Sequence, residues 1–221
     1  MPSLFFFGTM RHPALLSAII GDVSHVTMTS AAAPNFDVRA VREGPFPGII
    51  AQAGAIANGM LAQGLTPADI ERLDFYEAAF GYTRAEITLT GGEPVQTFLP
   101  EPDLWTAEGI WSFEDWARDW GPLSVLAAHE VMGYFGRKSP SEIAGMFPMI
   151  RARAWSRLNA ADSKHGAGTL HGRVEVTDLQ RPYANYFALD EYTLRHERFD
   201  GAMTNEVLRG VFLAADAALV M

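Results

Sequence analysis

The chain has 221 residues, enough for one large domain or for one domain and part of another, and its 17 basic and 26 acidic side chains leave a formal charge of −9. That sign argues against general nucleic-acid or anionic-membrane binding, which needs clustered Lys and Arg, and favours a small-molecule partner. The absence of cysteine excludes disulfides, thiol nucleophiles and thiolate metal sites, and no window approaches the ~20 apolar residues of a bilayer span. The apolar start also lacks the basic region of a signal peptide, so a cytoplasmic protein is expected.

Leu4 to Phe7 suits a buried strand, broken by Gly8-Thr9. His12-Pro13 opens a helix through Leu15, Leu16, Ile19 and Ile20 that Gly21 closes. Val23 to Ser30 and Phe36 to Val41 read as two strands parted by Pro34-Asn35, and Gly44-Pro45-Phe46-Pro47-Gly48 reads as a rigid loop. A strand from Ala55 to Leu65, a short helix, and strands at Tyr82 to Leu89 and Val95 to Leu99 around a Gly91-Gly92 turn follow. The order β-α-β-β-β-α-β-β predicts an α+β domain over residues 1–101, with too few crossover helices for a doubly wound sheet.

From Pro102 the chain turns Trp-rich and reads as a helical connector over residues 102–168. Ser112 caps one helix, Gly121-Pro122 breaks it, and Ser139-Pro140 starts another that runs past Pro148 to Ala160. Its aromatic residues read as packing rather than as a cofactor box. Residues 169–221 return to strand character, with strands expected at Leu170 to Val176, Tyr186 to His196, Asn205 to Phe212 and Ala217 to Val220.

Two segments carry candidate chemistry. Thr66 as N-cap, Pro67 at the first helical position and Asp69 in the first turn fix the start of the short helix, and Ile70, Leu73 and Glu77 then share one stripe. Glu77 therefore sits on the apolar face in the last turn, where the helix dipole and desolvation both raise a carboxyl pKa and suit it to proton transfer. The bland alternative is a partly exposed Glu that ends a helix. At Phe7-Gly8-Thr9-Met10 a strand turns into a helix, so the N–H groups of Gly8, Thr9 and Met10 can form an anion-binding nest; a plain turn is the alternative.

Phe7-Gly8-Thr9-Met10, Phe46-Pro47-Gly48-Ile49, Asn58-Gly59-Met60-Leu61 and Leu73-Asp74-Phe75-Tyr76-Glu77 with Tyr82-Thr83-Arg84 resemble, in order over residues 3 to 100, the motifs of the γ-glutamylcyclotransferase-like family. The resemblance implies a small mixed β-barrel with flanking helices and a cavity for a γ-glutamyl group, whose α-amine attacks its γ-carbonyl to release 5-oxoproline. By that resemblance Glu77 is the general acid/base, Phe7, Gly8, Thr9, Met10 and Tyr82 bind substrate, and no metal or cofactor is needed. Phe7 departs from the family, which carries Tyr there.

The tail, from Tyr186-Phe187-Ala188-Leu189-Asp190-Glu191 to Glu206-Val207-Leu208-Arg209-Gly210-Val211-Phe212, resembles the N-terminal β subdomain of Nudix ADP-ribose pyrophosphatases. That implies a possible homodimer through an antiparallel β module and a substrate contact at Arg209; a surface pair with Glu206 or Asp216 is the alternative for that arginine. The Nudix box does not occur in the sequence, so hydrolase activity, with its Mg²⁺, is expected only of a longer gene product.

Overall fold

The structure, a computed structural model, describes residues 2–162, 172–185 and 187–213, and the backbone contacts divide it between Phe147 and Pro148. The first unit is α+β. Its strands are β1 (Leu4–Phe6), β2 (Thr27–Val41), β3 (Gly44–Gln63), β4 (Tyr82–Thr88), β5 (Pro94–Pro100) and β6 (Ala107–Ile110), and they form one mixed sheet in the order β4-β5-β1-β3-β2-β6. The short strand β1 lies at its centre, antiparallel to β3 and parallel to β5, and Leu4 and Phe5 are wholly buried. Thr97 on β5 is buried as well and donates its hydroxyl to the Phe5 carbonyl at 2.7 Å.

Helix α1 (Pro13–Ile20) begins where the His12 ring Nδ1 accepts from the Leu15 N–H and ends at Gly21. It packs on α2 (Pro67–Ala78) and on α4 (Gly121–Met132), beside which lies α3 (Phe113–Asp119) with its Ser112 cap. Helix α2 has the cap that its sequence predicts. Thr66 accepts from the Asp69 N–H at 3.2 Å while Asp69 Oδ2 accepts from the Thr66 N–H at 2.8 Å, and the His25 ring bonds the same carboxylate oxygen at 2.8 Å. Helix α5 (Pro140–Asp162) opens on a second such box between Ser139 and Glu142, and Pro148 lies inside it.

Several elements differ from the sequence reading. Residues 27–41 form one strand, because Asn35 takes a left-handed φ of +64°, and its side chain accepts from the Gly54 N–H at 3.1 Å. The irregularity between Pro34 and Phe36 is thus absorbed as a bulge rather than a turn. Residues 44–48 are the start of β3 and not a loop: the chain reverses at Arg42-Glu43, and Pro47 pairs with Ala40. Residues 107–110, read as helical, are a strand on the β2 edge. Gly121-Pro122 divides α3 from α4, as expected, and also starts α4, since a proline in the first turn forfeits no intrahelical bond.

The second unit holds a three-stranded antiparallel sheet of β7 (Val174–Ala184), β8 (Ala188–His196) and β9 (Val207–Leu213), with a turn at Phe199-Asp200-Gly201. Strand β7 runs eight residues beyond the expected end at Val176, from 177 to 184. The expected strand from Ala217 to Val220 lies outside the described residues, as do Leu170 and Tyr186. Asp190 is wholly buried and holds Arg181 through two hydrogen bonds, at 2.5 and 2.9 Å, and Arg157 at 3.0 Å. Among the described residues no helix is long and apolar enough to cross a membrane.

The α2 cap generates a stability prediction. Burial opposes the ionised form of Asp69, but hydrogen bonds from the Thr66 backbone, the His25 ring and the Thr66 hydroxyl outweigh it and hold the pKa below 3.8. A carboxyl depressed on folding stabilises the protein above its unfolded pKa and loses that contribution as pH falls through the folded value. Asp69→Ala is therefore expected to cost on the order of 1 to 2 kcal/mol near neutral pH, with the gap in thermal melts between variant and wild type narrowing below about pH 4.

Candidate active site

The chain leaves β1 through Phe7 and Gly8 into a single 3₁₀ turn, Thr9–Arg11. Inside that turn the Arg11 N–H donates to the Gly8 carbonyl at 3.2 Å and the His12 N–H to the Thr9 carbonyl at 3.0 Å. The N–H groups of Gly8, Thr9 and Met10 donate to no described group. Three successive N–H donors without a partner among the described residues are the donor set from which an anion-binding nest is built. Phe7 and Met10 are themselves buried, so their side chains anchor the turn in the core.

Gly8 is required by contact. A Cβ there would stand 2.8 Å from Pro47 Cγ at the start of β3. The Pro47 carbonyl in turn accepts the Tyr82 hydroxyl at 3.3 Å from the first residue of β4. Gly8 and Tyr82, 74 positions apart in sequence, thus meet the same residue. Trp105 joins this group from the segment before β6, its ring edge-on to Phe46 at 4.8 Å. That segment is pinned where the Glu101 N–H bonds the Gly81 carbonyl at 2.9 Å and where the Thr106 N–H bonds Glu43 at 3.0 Å.

Glu77 stands in the last turn of α2, five residues before Tyr82. It keeps some solvent contact, yet enough protein surrounds the carboxyl that desolvation raises its pKa from 4.5 to about 8. No described group donates a hydrogen bond to its carboxylate or forms an ion pair with it. Its charge is felt at Tyr82, whose phenol is pushed up by burial first and by Glu77 second, while the nearby Trp105 indole acts in the opposite sense. Tyr76 responds in the same way to burial and then to Glu77. A carboxyl whose pKa burial raises to about 8 can take up and return a proton near neutrality.

The sequence thus brings Gly8 and Tyr82 together through Pro47, and Tyr82 within the field of Glu77. Arg209 is elsewhere, in the second unit: exposed, with its guanidinium donating to the Leu208 carbonyl at 2.9 Å. Its expected partner Glu206 pairs with Arg195 at 3.5 Å, and Asp216 lies outside the described residues. Sequence reasoning did not assign roles to Pro47, Phe46 and Trp105. Phe46 and Pro47 were legible as part of the motif Phe46-Pro47-Gly48-Ile49, though the segment reads as a loop until β3 is seen to begin there, and Trp105 carried no signal. Among the described residues, no three His, Asp or Glu side chains are grouped so as to hold a metal ion.

Comparison with solved structures finds similarity to an uncharacterised protein from Pyrococcus horikoshii, with 12% identity, 52% of this chain and 87% of that one covered, and a TM-score of 0.38. An Arabidopsis thaliana protein solved in solution is similar at 18% identity, with 77% and 92% covered and a TM-score of 0.43. A structure described as gamma-glutamyl cyclotransferase is similar at 11% identity, with 48% and 69% covered and a TM-score of 0.38. No curated protein matches the chain. The family model "Gamma-glutamyl cyclotransferase, AIG2-like" matches residues 4–118, a span that contains β1, the Gly8 turn, Glu77, Tyr82 and Trp105. The chain belongs to that family.

Proposed function

We propose that the first unit is a γ-glutamyl cyclotransferase with Glu77 as its general acid/base. The observation that carries this reading is a desolvated Glu77 carboxyl, titrating at about 8, close to Tyr82, which shares Pro47 with the Gly8 turn. In the reaction the substrate α-amine nitrogen attacks the γ-carbonyl carbon, and a C–N bond forms as the ring closes. Glu77 takes the proton from that nitrogen and returns it to the departing nitrogen as the original amide bond breaks. The products are 5-oxoproline and a free amine, with no change of oxidation state and no metal or cofactor. The N–H groups of Gly8, Thr9 and Met10 hold a substrate carboxylate, and Tyr82 borders the same space. The six-stranded sheet, whose β4–β5 turn reaches β2 where the Thr90 N–H bonds the Ala32 carbonyl at 2.9 Å, is read as the family's small barrel.

A second reading, a ligand-binding domain without chemistry, is favoured by Phe7, which lacks the family's tyrosine hydroxyl. Against it, Phe7 is buried and the three N–H donors belong to the backbone, so the missing hydroxyl leaves them in place.

For the second unit we infer the N-terminal β subdomain of a Nudix ADP-ribose pyrophosphatase, with a homodimer formed through it and Mg²⁺-dependent hydrolysis only in a longer gene product. The three-stranded antiparallel sheet supports this reading, and so do exposed Val174, Leu179, Tyr183, Leu208 and Phe212, apolar surface of the kind that marks an association face. The cytoplasm is the proposed location.

Two outcomes test the catalytic reading. Glu77→Gln is expected to reduce 5-oxoproline release from a panel of γ-glutamyl compounds at least about a hundredfold, the scale of a lost general acid/base; unchanged release would refute the assignment. Wild-type kcat/KM is expected to rise with pH towards about 8, as Glu77 ionises. Stability moves the other way. A carboxyl whose pKa rises on folding holds an extra proton in the folded state, so its contribution is complete below the unfolded value and is lost as pH climbs through the folded one. Thermal melts of Glu77→Gln should accordingly gain on wild type between about pH 5 and about pH 9, by on the order of 2 to 3 kcal/mol.

A further inference from the structure

The indole N–H of Trp105 is buried, and no described residue accepts from it. An indole nitrogen can only donate. A buried donor without an acceptor has lost its hydration for nothing, a penalty that a bound acceptor removes.

The segment that carries Trp105 is tied on both sides. At one end the Glu101 N–H bonds the Gly81 carbonyl at 2.9 Å, and Leu104 packs so closely that a Cβ on Gly81 would stand 2.5 Å from its Cδ2. At the other the Arg42 N–H bonds the Thr106 carbonyl at 3.0 Å, and the Thr106 N–H bonds Glu43 at 3.0 Å. The segment therefore bridges the corner between α2 and β4 and the reversal between β2 and β3. Trp105 stands on this bridge, edge-on to Phe46, whose neighbour Pro47 accepts the Tyr82 hydroxyl. The Tyr82 phenol feels both the Glu77 charge and the Trp105 indole, so the three groups share one neighbourhood.

Tyr82 already gives its hydroxyl proton to Pro47, so between these two aromatic side chains Trp105 has the donor to offer. An ionised Glu77 nearby disfavours a second carboxylate there, and an uncharged oxygen such as an amide carbonyl is the fitting acceptor. A γ-glutamyl compound has that oxygen at the bond that breaks. As its amine nitrogen attacks, the carbonyl π pair moves onto the oxygen, while Glu77 takes the proton of the nitrogen and becomes neutral. The oxygen thus gains its charge as the carboxyl loses its own. A fixed N–H in a poorly hydrated place holds that oxyanion better than it held the carbonyl. When the pair returns, the amide C–N bond breaks and Glu77 gives its proton to the departing nitrogen. We infer that the Trp105 indole N–H is a catalytic donor to the γ-carbonyl oxygen, distinct from the backbone N–H groups of the Gly8 turn. This rests on the cyclotransferase reading of Glu77.

The test removes that N–H and little else. Trp105→Phe keeps an aromatic ring against Phe46, and 3-benzothienylalanine introduced at position 105 keeps the bicyclic shape with sulfur in place of the N–H. In both, kcat for 5-oxoproline release from the best γ-glutamyl substrate is expected to fall about a hundredfold, the scale of one lost oxyanion donor, with KM within about threefold of wild type. Thermal melts of the benzothienyl protein should match wild type. Its rate should still rise with pH to the wild-type midpoint, because Glu77 is untouched. A kcat kept within about threefold by the benzothienyl protein, or a loss confined to KM, overturns the assignment and leaves the cyclotransferase reading standing. Failure of wild type to release 5-oxoproline from any compound of the panel overturns both.

Discussion

The site depends on how closely β1 can be packed. This strand has three residues, and it lies at the centre of a six-stranded sheet, hydrogen-bonded on both sides. On the β3 side a Cβ at position 59 would stand 2.5 Å from the Phe6 carbonyl and 2.6 Å from the Phe5 ring, so only glycine admits the strand and its large side chains together. On the β5 side Thr97 spends its hydroxyl on the Phe5 carbonyl. A strand held so tightly delivers Gly8 to one place, against Pro47. The second close approach, at Gly8 itself, repeats the logic of the first.

Around this fixed point the candidate site is assembled from marginal positions. Glu77 belongs to the last turn of a helix, Tyr82 to the first residue of a strand, and Trp105 to a segment between strands. Element ends are where side chains can leave the sheet or helix face and meet one another. The cost is a carboxyl in a poorly hydrated place at the negative end of a helix, which shifts its proton affinity towards neutrality. The capping box at Thr66 and Asp69, at the other end of the same helix, secures the element that carries this unfavourable group.

Local signals were read well where one residue decides the outcome. The Thr66 cap, the Gly21 stop, the Ser112 and Ser139 starts and the Gly91-Gly92 turn all stand where the sequence places them. They failed where breaker residues were absorbed by a sheet. Pro34-Asn35 became a bulge because Asn35 can take a left-handed conformation and bond across to Gly54, and Pro45 and Pro47 became strand residues beside a tight reversal at Arg42-Glu43. Residues 107–110 have no strong strand pattern and all four are exposed; their extended form follows from the open edge of β2. Within the candidate site, Glu77, Gly8, Pro47 and Tyr82 were legible because each lies in a motif, whereas Trp105 gained meaning only from its neighbours in space.

The sequence by itself determined the α+β class of the first unit, the exclusion of thiol chemistry, the helix that carries Glu77 and the order of the motifs that place residues 4–118 in their family. Those follow from periodicity, capping and composition, which act over a few residues. The tertiary structure decided that Gly8 and Tyr82 share Pro47 and that burial raises the Glu77 pKa. Hydration and hydrogen-bond satisfaction depend on what surrounds a group in space, and residues tens of positions apart along the chain supply those surroundings.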